Sequence, residues 1–298
     1  MAHTPVLLQA VVTLLDPQPG ETFLDGTVGS GGHALALAER LAPGGRLICL
    51  DQDESSLTKA RETLTKSSVP VSFHLSNFRH LDQVLKAEGI EQVNGILLDL
   101  GVHSDQIGAS GRGFSFMHDE PLKMTMKLNP GESDLTARDV VNDWQEENLA
   151  AIIKGFGEER FAESIAKAIS IHRREQPIET TGQLVEIIRS AVPTWYTHKR
   201  LHFATRTFQA LRLAVNDELG ALKAGLEAGW EALGEGGRFG VISFHSLESR
   251  LVKNFFREKK QEGYLLLTKH AVQASREEEL DNPRARSAEL RVIKKIKS

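Results

Sequence analysis

The sequence predicts an α/β protein built on a Rossmann-like parallel sheet, and two observations carry this prediction. Short apolar segments alternate with helical segments between residues 21 and 100, which is the pattern of a parallel sheet covered on both faces. A glycine-rich turn at residues 26–32 then joins the first of these strands to a helix. Such a strand-to-helix turn is typical of α/β proteins that bind nucleoside-containing ligands.

The hydrophobic pattern predicts each element of this sheet in turn. Strands are expected at residues 22–25, 46–50, 70–75 and 94–100, and helices at 33–41, 54–66 and 79–88. Apolar residues spaced three or four apart then predict one long helix from Phe208 to Leu233, ended by Gly236 and Gly237. A strand at 238–244 and a helix from Leu247 with Ser246 as its N-cap follow. Segments 263–268 and 289–293 are expected to close the sheet as a hairpin.

The α/β alternation is interrupted between residues 104 and 203, where apolar residues recur only at helical spacing. We therefore predict a discontinuous domain of residues 1–103 and 204–298 with an inserted helical domain at residues 104–203.

Composition excludes several classes of protein. The single cysteine, Cys49, lies in an apolar strand, so a disulfide or a cluster of thiolate metal ligands within one chain is excluded. The amino terminus lacks the pattern of a signal peptide and no apolar run reaches eighteen residues, so we expect a cytoplasmic protein with no membrane contact. The formal net charge is −4, so nucleic acid would have to bind local basic patches, such as His198-Lys199-Arg200.

The glycine turn also indicates which ligand binds. Its spacing, Gly26-x-x-Gly29-x-Gly31-Gly32, differs from the dinucleotide fingerprint, and no P-loop lysine follows. Asp25 begins the turn with a carboxylate, which suits a ligand that carries an ammonium group, and S-adenosylmethionine is the common one. The alternative is that these glycines only form a tight turn. Asp51, twenty residues beyond Gly31, stands where such folds place the acceptor for ribose hydroxyls.

Seven blocks spread over the chain resemble one family, the bacterial small-subunit ribosomal RNA cytosine-N4 methyltransferases, also called the MraW family. The resemblance runs from about His3 to the carboxyl terminus. The blocks read D-G-T…G-G-H at 25–33, L-D-L-G-V at 98–102, R-G-F-S-F at 112–116, G-E-E-R at 157–160, T-R-T-F-Q-A-L-R at 205–212, S-F-H-S-L-E at 243–248 and N-P-R-A-R-S at 282–287.

The resemblance implies a class I S-adenosylmethionine-dependent methyltransferase that modifies a cytidine in the decoding region of 16S ribosomal RNA. The implied partner is the small ribosomal subunit RNA, with no metal, and the chain is compatible with a homodimer. The inserted domain would recognise the RNA. The implied cofactor contacts are, along the chain, Gly31, Gly32, His33, Asp51, Phe78 beside the adenine, Asp99 and Gln106.

The chain departs from the family pattern in two segments. It reads D-E-P-L-K-M-T-M-K at 119–127 where the family reads D-G-P-L-D-M-R-M-D, so that Lys123 and Thr125 replace an acid and an arginine. It also has V-H-S-D-Q at 102–106 in place of V-S-S-P-Q, which introduces His103. Two alternatives therefore stay open: a related methyltransferase with another RNA or another substrate, and a non-catalytic S-adenosylmethionine-binding assembly factor.

The catalytic residue is not identified by sequence. Methyl transfer to a cytosine amine needs an acceptor for the amine hydrogens. Asp99, Ser104, Ser243 and His245 are predicted to lie at the carboxyl edge of the sheet, where ligands bind in such folds. His245 fits a structural hydrogen bond before a helix equally well.

Overall fold

A computed structural model of the protein describes residues 5–102, 111–128, 130–131, 134–261 and 264–296. The chain forms two compact units. The sheet unit comprises residues 1–101 and 219–298, and the helical unit comprises residues 102–218. No helix within the described ranges combines the length and the apolar composition needed to span a membrane.

The sheet unit contains one mixed sheet, in the order β3-β2-β1-β4-β5-β7-β6. The first five strands pair in parallel, and β7 pairs antiparallel with both β5 and β6. The strands are β1 (Thr22–Asp25), β2 (Arg46–Asp51), β3 (Val71–Leu75), β4 (Val93–Asp99), β5 (Leu233–Ser243), β6 (Leu265–Leu266) and β7 (Glu289–Lys294). The predicted α/β class with a Rossmann-like sheet is confirmed. β6 and β7 pair antiparallel as expected, but residues 267–288 lie between them, so the pair is not the predicted hairpin.

The α-helices of the described residues are, in chain order, α1 (Leu8–Leu15), α2 (Gly32–Leu41), α3 (Glu54–Thr63), α4 (Leu81–Ala87), α5 (Ala137–Asp143), α6 (Glu146–Gly155), α7 (Ala162–His172), α8 (Thr181–Ala191), α9 (Thr194–Thr197), α10 (Thr205–Asn216), α11 (Glu218–Ala232), α12 (Ser246–Gln261) and α13 (Arg276–Asp281). Short 3₁₀ helices lie at Phe78–His80 and Pro283–Ser287.

Both faces of the sheet are covered, as the apolar strands require. Successive side chains of a strand point to opposite faces. Phe23 accordingly lies in the apolar cluster that α1 and α2 cover, and Leu24 lies in the cluster that α4 and α11 cover. Both side chains are fully buried. This double cover fixes the strands, so that their carboxyl ends are held at one edge.

The helical unit has its own apolar core, formed mainly by α5 to α8 and α10. Two of its helices begin with a capping box, in which a threonine side chain and the third helical residue bond each other's backbone N–H groups. Thr136 with Asp139 caps α5, and Thr180 with Gln183 caps α8.

The prediction of one long helix from Phe208 to Leu233 is wrong, because the structure has two helices there. Asp217 adopts a left-handed conformation with φ of 45° between α10 and α11. The Asn216 side chain fixes this break, because its amide donates to Met124 O and accepts from the N–H of Met126. The second helix then ends at Ala232, and β5 already begins at Leu233.

The predicted domain boundary at residue 204 also differs from the structure, in which residues 204–218 belong to the helical unit. Phe208 and Leu211 are buried in that unit's core. The Gln209 amide also donates to Phe156 O at 3.1 Å. A smaller correction concerns Ser246, which is the first residue of α12 and not its N-cap. His245 precedes it, and its Nδ1 accepts from the N–H of Glu248 at 3.4 Å.

Candidate functional site

Three carboxylates end three neighbouring strands of the sheet. Asp25 ends β1, Asp51 ends β2 and Asp99 ends β4. Since β2, β1 and β4 are adjacent and parallel, their carboxyl ends lie at the same edge. Ligands of open α/β sheets bind at this edge. We call these three side chains the carboxylate edge.

Asp51 connects the glycine turn to the loop after β2. One of its carboxylate oxygens, Oδ2, accepts from the N–H of Gly29 at 2.9 Å, and Oδ1 accepts from the N–H of Asp53 at 2.9 Å. The side chain is nearly buried. A carboxylate that accepts backbone N–H groups keeps lone pairs for further donors, so these contacts leave room for the predicted bond to ribose hydroxyls.

Asp25 is the most deeply buried of the three, at 1% exposure. Its Oδ1 accepts from the N–H of Thr27 at 3.1 Å. Its Oδ2 is buried with no hydrogen-bond partner among the described residues. Burial, with smaller contributions from Asp99 and Asp51, raises the pKa of Asp25 to about 6, although His33 and the Thr27 N–H act in the other direction.

Asp99 contacts both the glycine turn and α2, the helix that follows this turn. Its backbone N–H donates to Thr27 Oγ1 at 2.6 Å, and its Oδ2 lies 3.5 Å from His33 Nδ1. Its Oδ1 is a second buried carboxylate oxygen that has no partner within the described ranges. The other ring nitrogen of His33, Nε2, donates to Val6 O at 2.9 Å. His33 thus connects Asp99 to the amino-terminal segment.

The two glycines before His33 are required by conformation and packing. Gly31 has a φ of +89°, and a Cβ there would lie 3.2 Å from Ala60 Cα on α3. A Cβ on Gly32 would lie 2.3 Å from Pro5 Cγ. The absent side chains therefore face protein atoms. The prediction that these glycines bind the cofactor rests on their backbone groups at the start of α2.

Phe78, in the 3₁₀ helix after β3, is half-buried and packs against the cluster under α11. A Cβ on Gly225 would lie 2.5 Å from Phe78 Cδ2, so the ring rests against the backbone of that helix. Its β-carbon is also close to the turn, since a Cβ on Gly26 would lie 3.1 Å from it. The structure thus brings Phe78 beside the glycine turn.

The candidate catalytic residues after β5 make structural contacts. Ser243 is buried, and its hydroxyl donates to Glu289 O at 3.3 Å. His245 has Nε2 at 3.2 Å from Glu248 Oε1. Both line a cavity of about 480 Å³ at the end of β5. Ser104, His103 and Gln106 lie outside the described residues.

Comparison with known proteins decides the family. The MraW methylase family matches residues 1–296, which is nearly the whole chain. The chain belongs to this family. The MraW relatives include three proteins named ribosomal RNA small subunit methyltransferase H. That of Heliobacterium modesticaldum is 46% identical, with 99% of each chain covered. Those of Symbiobacterium thermophilum and Syntrophotalea carbinolica are each 45% identical, with 99% of this chain and 97% and 98% of theirs covered.

S-adenosylmethionine, the cofactor of this MraW methyltransferase, fits the carboxylate edge. The donor carries a sulfonium and an ammonium group, together with ribose hydroxyls. Asp25 Oδ2 and Asp99 Oδ1, both buried with no hydrogen-bond partner in the described part of the chain, offer acceptors to such groups. Three neighbouring acids also provide the negative charge that a cationic donor needs.

Sequence reasoning placed Asp25 in the ligand turn but not among the cofactor residues. The signal for its importance was its position as the last residue of an apolar strand, beside two other strands that also end in Asp. In the part of the chain that the structure describes, no three His, Cys, Asp or Glu side chains are grouped to hold an ion.

Proposed function

We propose that the protein transfers a methyl group from S-adenosylmethionine to the exocyclic N4 amine of a cytidine in the decoding region of 16S ribosomal RNA. One observation carries this proposal: the match to the MraW family and to proteins named ribosomal RNA small subunit methyltransferase H extends over nearly the full length of both chains. The small ribosomal subunit is the partner, and the cytoplasm is the place of action.

Six described residues are proposed to hold the cofactor: Gly31, Gly32, His33, Asp51, Phe78 and Asp99. Asp51 would accept the ribose hydroxyls, and Phe78 would flank the adenine. Asp25 is added to this set because its Oδ2, which has no partner among the residues that the structure describes, suits an ammonium group or a hydroxyl. Gln106 completes the set as a prediction from the family.

The chemistry asks for positioning more than for acid–base catalysis. The cytosine amine is a weak nucleophile because its lone pair is delocalised into the ring. The protein must align this nitrogen with the sulfonium methyl and accept an amine hydrogen as the nitrogen becomes pyramidal. The base must be unpaired or flipped out of its stack to reach the donor.

The hydrogen acceptor is best sought among residues with free acceptor atoms. Asp99 has a buried Oδ1 without a partner in the described ranges, and a carboxylate oxygen is a stronger acceptor than the Ser243 hydroxyl, which donates to Glu289 O. In His245, Nδ1 already accepts from the N–H of Glu248, so Nε2, which lacks a hydrogen-bond partner in the described ranges, carries the ring hydrogen and is a donor. We therefore favour Asp99 over these two residues. Ser104 stays a prediction from its position after β4.

The experiment is methyl transfer from tritiated S-adenosylmethionine to small subunits from a strain that lacks the mark. We expect label in 16S RNA, at a cytidine that then resists further methylation. Naked 16S RNA, large subunits and total cell protein serve as parallel acceptors. Label in one of these alone would assign a different substrate, and cofactor binding without any transfer would indicate a non-catalytic binding protein.

A further inference from the structure

The helical unit exposes a large aromatic side chain with two cations over its ring. Trp195, in the short helix α9, is 50% exposed. The Lys199 ammonium lies 4.9 Å from the centroid of its ring, and the Arg160 guanidinium lies 5.2 Å from it. We call these three side chains the tryptophan patch. Tryptophan, which has an apolar ring and a polar N–H, is among the residues enriched at binding surfaces.

The tryptophan patch rests on a fixed base. The Trp195 ring packs edge-on against Tyr196, with centroids 5.8 Å apart, and against Phe161, at 6.1 Å. Both neighbours are anchored to Glu159, which is buried. The Tyr196 hydroxyl donates to Glu159 Oε2 at 2.6 Å, and the N–H of Phe161 donates to Oε1 at 2.9 Å. The indole is therefore held in place before any partner arrives, which lowers the entropic cost of binding.

The local charge is positive. Arg160, Lys199 and Arg200 are exposed, and Glu158 is the exposed acid beside them in the sequence. The carboxylate of Glu159 is buried and already satisfied by its two donors. The patch thus presents cations next to an aromatic ring, while the acid that anchors it faces the interior.

We propose that the tryptophan patch binds a single-stranded segment of the substrate RNA, in which a base replaces a cation over the Trp195 ring and the neighbouring phosphates pair with Arg160 and Lys199. This inference rests on the proposed function, which supplies an RNA substrate. Aromatic rings flanked by cations are the common means of binding unpaired nucleotides, because every base offers a π-face and every nucleotide a phosphate. Duplex RNA keeps its bases stacked on each other and cannot use the ring in this way.

The test measures binding of an RNA oligonucleotide with the sequence of the decoding region, single-stranded or annealed to its complement. Trp195→Ala should weaken binding of the single strand about 5- to 150-fold, the range for loss of one stacked base, and should leave the duplex unaffected. Trp195→Phe should retain most of the affinity. S-adenosylmethionine affinity and the unfolding midpoint should match those of the wild-type protein for each variant.

Charge is tested separately with a matched pair of lysines. Lys199→Gln should reduce the slope of log affinity against log salt by about 0.7, as for one lost contact to a single strand. Lys154→Gln removes the same charge from the same unit, but Lys154 pairs with Glu163 at 2.9 Å. This control should leave the slope unchanged. With small subunits as substrate, Trp195→Ala should raise KM and leave kcat unchanged.

Three outcomes would overturn the proposal: unchanged single-strand affinity in Trp195→Ala, equal losses in the two lysine variants, or a defect seen with assembled subunits but not with naked RNA. The last result would indicate a protein contact instead. Failure of the proposed function is distinguishable from these outcomes. A wild-type protein that binds the single strand through Trp195 but methylates no cytidine would refute the activity and keep the RNA contact.

Discussion

The carboxylate edge and the tryptophan patch handle charge in opposite ways. At the edge, charged groups are buried at the ends of parallel strands, and two of their oxygens lack partners in the described structure. At the patch, the cations are exposed and the one acid involved is buried with both oxygens bonded. The sheet unit therefore keeps buried acids in an unfavourable arrangement, which a cationic ligand relieves. In the helical unit, the buried acid beneath the patch already has a donor for each of its oxygens before any ligand binds.

The difference has a thermodynamic consequence. A ligand that binds only the folded state stabilises it by RT ln(1 + L/Kd), where L is the free ligand concentration, so each interaction that strengthens its binding also adds to the stability of the folded state. S-adenosylmethionine should therefore stabilise the sheet unit further by relieving the repulsion among Asp25, Asp51 and Asp99. RNA bound at the tryptophan patch should stabilise the helical unit only through the contacts that it adds.

The largest effect should come from Asp51→Ala. This change leaves the N–H groups of Gly29 and Asp53 without their acceptor and removes the proposed ribose contact. We expect S-adenosylmethionine affinity to fall by roughly 100-fold, or about 3 kcal/mol, in a calorimetric titration. Glu54→Ala, which removes an exposed acid three residues later, is the control. Equal affinities for Asp51→Ala and wild type would remove Asp51 from the site.

Asp25→Asn tests whether the ionised Asp25 carboxylate lowers the free energy of unfolding. The pKa of Asp25 is raised from 3.8 to about 6, chiefly by burial, so the folded state binds more protons than the unfolded state between these values. Wild-type stability therefore falls as pH rises through this window, by about 3 kcal/mol in total. Asp25→Asn does not ionise, so it should be the more stable protein at pH 7 and lose this advantage by pH 4.

The measurement is urea unfolding of both proteins without cofactor, at steps between pH 4 and 8. Asp25→Asn should also bind S-adenosylmethionine more weakly, since the amide carries no charge for a cationic donor. Glu54→Gln controls for the loss of an acid at the surface. A stability difference that stays constant with pH would show that Asp25 does not titrate in this range.

Tyr196→Phe examines the anchor of the tryptophan patch. Burial, and then the hydrogen bond to Glu159, raise the pKa of the Tyr196 hydroxyl to about 12, so the hydroxyl remains a donor at neutral pH. Its loss leaves a buried carboxylate oxygen with one donor fewer and should cost about 1–3 kcal/mol of stability. A double-mutant cycle with Glu159→Gln isolates the pair. Cofactor affinity should not change, and additive losses would argue against the anchor.

The smallest expected effect is a difference between two glycines in how much an alanine substitution lowers the free energy of unfolding. Gly31 and Gly20 both have positive φ, at +89° and +84°, but only Gly31 has atoms close to its missing Cβ. Gly20→Ala should cost about 1–2 kcal/mol for the backbone conformation alone. Gly31→Ala should cost about 1 kcal/mol more because of Ala60 on α3, and it should weaken cofactor binding. Equal costs in thermal unfolding would mean that α3 yields to the added methyl group.

Most of the sheet could be predicted from the sequence because its signals are local. Runs of apolar residues predict the four strands between residues 22 and 99, and the glycines between them predict the turn after β1. The break at Asp217 could not be predicted in this way. It depends on bonds from Asn216 to Met124 and Met126, about ninety residues earlier, and the helical periodicity continues across it.

The candidate site could likewise be predicted from the sequence only in part. That acids end β1, β2 and β4 is visible in the sequence, but which of their oxygens lack partners depends on packing. The glycines show a second limit of sequence reasoning. From the sequence, Gly31 and Gly32 are interpreted only as giving a ligand access to the backbone, whereas the structure shows that side chains there would also crowd Ala60 and Pro5. The tryptophan patch combines residues from 160 and from 195–199, and only folding shows that they meet.

The segment Pro5 to Leu7 links distant parts of the sheet unit. Pro5 covers Gly32, Val6 O accepts from His33, and the N–H of Leu7 donates to Glu278 Oε1 at 2.6 Å. An affinity tag fused ahead of residue 1 would begin only a few residues before these contacts with the first turn of α2. Proteins tagged at that end should be compared with tag-free protein before any donor affinity is interpreted.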